Sequence, residues 1–212
     1  MREYQVVLRD KRQKKGIEDS VVSFWENANC LTDFCSAWKS DSFSKIEFRA
    51  FWDLENLFFK FRVFDTHIYL DQKDDSFDSI RNSDRVELFF RTNESLDPYY
   101  CLEMDTAGRL MDFRARPNKE FDFEWKWPKT DFEIKTSKDE ISFTVEGQIS
   151  IKSLKELNLI HNNTIEAGVF RAKFLENEKR QYEPTWISWV NPDTETPNFH
   201  IASSFGKFIL ME

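Results

Sequence analysis

Residues 45–52 read KIEFRAFW, which puts Ile46, Phe48, Ala50 and Trp52 on one side of an extended chain and Lys45, Glu47 and Arg49 on the other. A period of two is the pattern of a strand with one buried face. Residues 57–64, LFFKFRVF, repeat it, with Leu57, Phe59, Phe61 and Val63 alternating with Phe58, Lys60, Arg62 and Phe64. The polar link Asp53-Leu54-Glu55-Asn56 suits a hairpin between the two. Such strands must bury aromatic faces, and the chain has 22 Phe, 7 Trp and 5 Tyr to do so.

The same reading predicts strands at 85–91, 99–105 and 109–115, the last two joined by Asp105-Thr106-Ala107-Gly108, where glycine supplies positive φ. A hairpin is predicted from 131–136 and 141–149, and further strands at 164–175 and 205–211. Ile151, Leu154 and Leu157 at a spacing of three, with Ser150 as a cap, predict a short helix at about 151–158. Residues 17–28 read as a short helix or a loop over the sheet end, and the loops at 71–83 and 116–130 are long enough to carry function. No repeat or Pro/Gly/Ser linker divides the chain. The expectation is one all-β domain over 1–212: a β-sandwich, jelly-roll or immunoglobulin-like, of two mainly antiparallel sheets with one short helix.

A net charge of −8 argues against nucleic-acid binding, which needs Lys and Arg to displace counterions. The basic cluster Arg9, Lys11, Arg12, Lys14 and Lys15 reads as a solvated loop after the first strand, with a polyanion or nuclear-import patch as the alternative. No apolar run reaches the ~18–20 residues that span a bilayer. No signal-peptide core opens the chain. The expected location is cytoplasmic if the chain is complete, and otherwise periplasmic or secreted with the leader removed. Three cysteines, Cys30, Cys35 and Cys101, cannot all pair internally, which favours a reducing compartment. Oligomeric state is not legible.

Nucleophile and phosphate-binding motifs are absent, and His67, His161 and His200 are far apart in sequence. Glu87 and Glu103 fall on predicted strands and can face one side of a sheet, the raw material of a glycosidase pair, although 38 acids make some such pair expected by chance. Asp71, Asp74, Asp75, Asp78 and Asp84 offer oxygen ligands but not the EF-hand pattern; a solvated acidic loop and no cofactor are expected, with structural calcium as the alternative.

A sugar site pairs an exposed aromatic platform with a few fixed polar groups. Candidate rings outside the core are Trp189, before an Asn-Pro turn; Phe199, beside His200 in a polar segment; and Trp125 and Trp127 in the loop FDFEWKWPK. For each, packing in the core is the competing reading.

In order along the chain, FRAFWDLENLFFKFRVFD at 48–65, SDRVELFF at 83–90, YYCLEMDTAGRLMD at 99–112, FTVEGQISIKSL at 143–154, SWVNP at 188–192 and FHIASSFGKFIL at 199–210 resemble the family 9 carbohydrate-binding modules and the bacterial domains like them. The resemblance covers roughly residues 20–211. It implies a β-sandwich that binds sugar without cleaving it, in a family whose members hold a terminal sugar between two Trp rings and accompany xylanases. The first ring position falls near Arg81 and the second on Phe199; the family glutamate is kept as Glu87, and an expected Arg falls on Cys101. One ring is thus lost and the other reduced to phenyl, which points to a changed ligand, such as an acidic sugar, or to a lost site. Specificity would rest on Glu87 and on neighbours such as Tyr99, Arg171 and Arg180.

The expected function is non-catalytic carbohydrate binding, with Trp189, Phe199, Glu87, Arg81, Tyr99, Arg171 and His200 as site residues. The rivals are a protein-interaction or structural module that has lost its sugar, and a glycan-active hydrolase.

Overall fold

The computed structural model describes residues 1–9, 24–39 and 42–212. Most of the basic cluster, and residues 17–23 of the ambiguous stretch, lie outside the described residues. The strands are β1 (Glu3–Leu8), β2 (Ile46–Trp52), β3 (Asn56–Val63), β4 (Arg85–Arg91), β5 (Tyr99–Asp105), β6 (Leu110–Arg116), β7 (Glu120–Asp122), β8 (Phe132–Lys138), β9 (Phe143–Ser150), β10 (Thr164–Glu176), β11 (Tyr182–Ser188) and β12 (Gly206–Leu210). Among the described residues there are two short α-helices, α1 (Phe77–Arg81) and α2 (Ile151–Glu156), where the sequence predicts only the second. The Ser150 hydroxyl caps α2 by accepting from the Ser153 backbone N–H.

Hydrogen bonding runs in one continuous path, β7-β6-β5-β4-β10-β12-β1-β2-β3-β9-β8, with β11 attached to β10. The join is β1, whose residues 3–6 pair with β12 and whose residues 7–8 pair with β2, both in parallel. Every other pairing between strands is antiparallel. One apolar core is shared by the two arms of this path: Phe48, Phe59 and Phe61 from one arm pack in the same cluster as Leu88, Phe90 and Val169 from the other. Each such fully buried ring or branched side chain contributes roughly 1.5–3 kcal/mol relative to exposure.

Every residue of β4 and β5 is buried, so these strands are covered on both faces. Alternation assigns the cover. Val86, Leu88 and Phe90, with Leu102 and Met104, face the main core. Phe89, Tyr99 and Cys101 face outward into a second cluster with Met111, Phe113, Phe170, Phe199 and Phe205. Gly168 makes this outer cluster possible. A side chain there would lie 2.3 Å from the Phe170 ring, which bends back over the glycine and stacks on Phe199 with centroids 4.2 Å apart.

Candidate functional site

A hollow of about 390 Å³ opens on this outer face. Its floor is β4, β5 and β6, and three loop segments make its walls. The first wall is α1, started by Ser76, whose hydroxyl accepts from Ser79 N, and pinned to the loop below it by Arg109. The Arg109 guanidinium donates to the Asp71 and Asp74 carbonyls at 3.0 and 2.7 Å and pairs with Asp105 at 2.6 Å. The second wall carries Lys119, Phe121 and Phe123, and the third runs from Pro197 to His200. The two long loops singled out in the sequence, 71–83 and 116–130, therefore meet at one site.

The polar centre of the floor is a buried cluster of three charges. Glu87 and Glu103 are direct cross-strand partners. Arg85, on the same face, lies between them, with Nη2 2.9 Å from Glu87 Oε1 and Nε 2.5 Å from Glu103 Oε2. Its Nη1 donates to the Arg81 carbonyl at 2.7 Å, and its guanidinium sits 5.6 Å from the centre of the Trp186 ring. Burial, then the Glu103 charge, pushes the Glu87 carboxyl up from its ordinary value; Glu103 is also pushed up, by burial. Burial opposes the Arg85 charge, but Glu103 and Glu87 outweigh it and raise its pKa. Apart from the Arg85 ion pair, Glu87 Oε1 has no further hydrogen-bond partner among the described residues. One cation against two buried carboxylates leaves a centre that favours a proton on Glu87, which makes it a hydrogen-bond donor as well as an acceptor.

The rings are graded in exposure. Phe199 is 5% exposed, between Phe170 below and Trp186 edge-on at 5.5 Å. Phe121 and Phe123 are 36% and 37% exposed and offer their rings to solvent at the rim. His200 packs against Phe89 at 5.1 Å and Phe121 at 4.9 Å. Burial, reinforced by the Lys119 and Arg85 charges, pushes its pKa down to about 3, so the ring is neutral near pH 7. Tyr99 is fully buried and its hydroxyl lies 3.0 Å from His200 Nδ1. Burial holds the phenol protonated. Its one donor is satisfied when Nδ1 accepts, which leaves the ring proton on Nε2.

Of the residues singled out in the sequence, Arg81, Glu87, Phe199 and His200 line the hollow, and Tyr99 braces His200 from behind. Trp189 and Arg171 lie elsewhere. Trp189 is 1% exposed in the main core, its ring over Gly206 and 5.9 Å from Phe208. Arg171 shares the inner face with Val169 and is held by Asp65. Both placements follow from parity: Trp186 and Phe170 lie on the outer face, so Trp189, three positions on from Trp186, and Arg171, one on from Phe170, face the core. Trp125 and Trp127 pack on the main core, while Phe121 and Phe123 of the same loop line the hollow. Arg180 lies in an exposed turn. Cys101 is buried among the outer apolar side chains. The acidic run is dispersed: Asp74 binds Ser76, Asp78 pairs with Arg81, and Asp84 with Lys173. Among the described residues, no three His, Cys, Asp or Glu converge as metal ligands. No helix there is long and apolar enough to cross a membrane.

The family model for carbohydrate family 9 binding domain-like proteins matches residues 17–212. A candidate carbohydrate-binding protein from Bacteroides uniformis has a similar structure, with a TM-score of 0.70 at 16% identity over 99% of each chain. A family 9 module from Caldicellulosiruptor kristjanssonii in complex with cellotriose gives 0.62 at 14% identity, over 99% of this chain and 93% of that one. A family 9 module from the same organism in complex with glucose gives 0.57 at 16% identity, over 99% and 96%. No curated protein matches the chain.

Proposed function

Since this chain belongs to the carbohydrate family 9 binding domain-like family, we propose that it is a non-catalytic carbohydrate-binding domain whose ligand seats in the hollow over β4, β5 and β6. The observation that carries this reading is the combination at one opening of solvent-facing phenyl rings, Phe121 and Phe123, with a buried Arg85–Glu87–Glu103 centre beneath them. Sugar C–H faces pack on such rings, and hydroxyls need fixed donors and acceptors. The Arg85–Glu87–Glu103 centre, which lines the hollow, supplies them. The neutral His200 ring and the Arg81 guanidinium supply donors at the wall. Binding rather than cleavage fits a centre whose two carboxylates are adjacent on neighbouring strands and share one guanidinium, with no arrangement across an open cleft. The core shared by the two arms of the hydrogen-bonded path supports reading them as the two layers of a sandwich.

Glucose, cello-oligosaccharides, xylo-oligosaccharides and uronic acids titrated calorimetrically test this directly. The expected result is saturable binding to at least one, weakened about tenfold by Glu87→Gln, roughly the loss of one buried hydrogen bond. No binding to any of these sugars, or to a broader glycan panel, by a folded protein would leave the alternative of a protein-interaction module.

A further inference from the structure

We propose, resting on the carbohydrate reading above, that the ligand of this hollow is an acidic sugar, whose carboxylate or sulfate is met by Arg81 and Lys119. The chain as a whole carries −8, yet two of the cations that line this opening, Arg81 and Lys119, are exposed. Lys119 lines the hollow and, among the described residues, has no ion-pair or hydrogen-bond partner. It is presented by two consecutive left-handed residues, Asn118 at φ 62° and Lys119 at φ 61°, a conformation disfavoured for lysine that persists only where the surrounding chain imposes it. Arg81, the last residue of α1, lines the same hollow. Its one ion pair, with Asp78 at 2.7 Å, is exposed on both sides, 60% and 79%, and such pairs are exchanged at little cost. Beneath them Arg85 is already committed to Glu87 and Glu103. A neutral sugar leaves Lys119 without a counter-charge, whereas an anionic group on the ring supplies one, with the Arg81 guanidinium offering a paired fork to carboxylate or sulfate.

The test is calorimetry at low and high salt with glucose, glucuronic acid, galacturonic acid and a sulfated monosaccharide, on the full chain and on Lys119→Gln and Arg81→Gln, both of which alter exposed side chains. The expected result is that at least one acidic sugar binds about fivefold or more tighter than glucose in low salt. That advantage should shrink in 0.5 M salt, where screening shortens the reach of charge to a few ångströms. Each variant should reduce it, and Lys119→Gln should leave glucose affinity within about twofold. The uronic acid and sulfate arms decide which anion is taken. Equal or weaker binding of every acidic sugar relative to glucose overturns this inference and leaves the carbohydrate reading standing. Failure of all four sugars on a folded protein overturns this inference, and the proposed function then rests on the oligosaccharides.

Discussion

Two buried ion clusters occupy opposite faces of the neighbouring strands β10, β4 and β5. On the inner face Arg171 and Lys173 of β10 meet Asp65 and Asp84: Arg171 is held by Asp65, and Lys173 lies 2.7 Å from Asp84 and 3.2 Å from Asp65. Two cations face two anions, and Asp84 Oδ1 also accepts from the Phe174 backbone N–H at 2.5 Å. On the outer face one cation, Arg85, faces two carboxylates. The closed, balanced cluster ties the end of β3 to β10 and the start of β4. The unbalanced cluster lies under an opening. Buried charge that matches pairwise marks scaffold, and buried charge left in excess beside a hollow marks a place where a proton or a ligand hydroxyl completes the account.

An isosteric swap in each cluster should separate them most strongly. Asp84→Asn leaves two buried cations with one carboxylate and should cost about 3–5 kcal/mol in chemical denaturation. Sugar affinity measured well below the new midpoint should be unchanged. Glu87→Gln replaces the carboxyl by a neutral isostere and should shift stability by less than about 1 kcal/mol while weakening sugar binding about tenfold. Equal destabilisation by both would erase the distinction.

Acidity sharpens the comparison. His200 has a folded pKa of about 3 against an ordinary 6.5, so between those values the unfolded chain takes up a proton that the folded chain refuses. Its contribution to stability is present above pH 6.5 and is lost as pH falls toward 3. Glu87 has the opposite sign: its folded pKa is raised from 4.5, so its contribution is present below pH 4.5 and is lost as pH rises through the folded value. His200→Gln should flatten the acid limb of the stability profile, and Glu87→Gln should gain relative to the parent as pH rises above 4.5. Denaturant midpoints at several pH values read both, and parallel profiles for parent and variants would contradict the assignment.

The smallest effects belong to the rim. Phe121→Ala and Phe123→Ala remove partly exposed rings. Each should change stability by less than about 1 kcal/mol and weaken sugar binding roughly threefold to tenfold, the size of one ring contact. A large stability loss with unchanged affinity would make these rings structural.

Period-two alternation made most strands legible, because a face that must bury Phe declares itself in sequence; β2, β3 and β4 fall within a residue of their predicted bounds. Neither β11 nor β7 was legible. β11 contains Pro184, which removes a ladder donor and suits a strand paired on one side only, with β10. β7 is three residues long, too short for a pattern. The continuous path through β1 depends on two parallel pairings between distant segments, which no local signal encodes. At the site, Glu87, Arg81, Phe199 and His200 were legible through their motif context. Trp189 was singled out as a ring before an Asn-Pro turn and Arg171 as a neighbouring polar group, and parity places both on the core side. In the loop FDFEWKWPK indole drew attention over phenyl, yet the tryptophans pack inward and Phe121 and Phe123 face the hollow. Arg85 and Trp186 carried no separate signal, because their neighbourhood is made by strands far apart in the chain.

The central claim, that sugar seats in this hollow, is tested most directly by titrating isotope-labelled protein with the tightest-binding saccharide and following amide and ring resonances by NMR. Saturable shifts are expected on Phe121, Phe123, Trp186, Phe199 and His200, with Trp189 and Arg171 unmoved. Saturable shifts centred on another surface would contradict it.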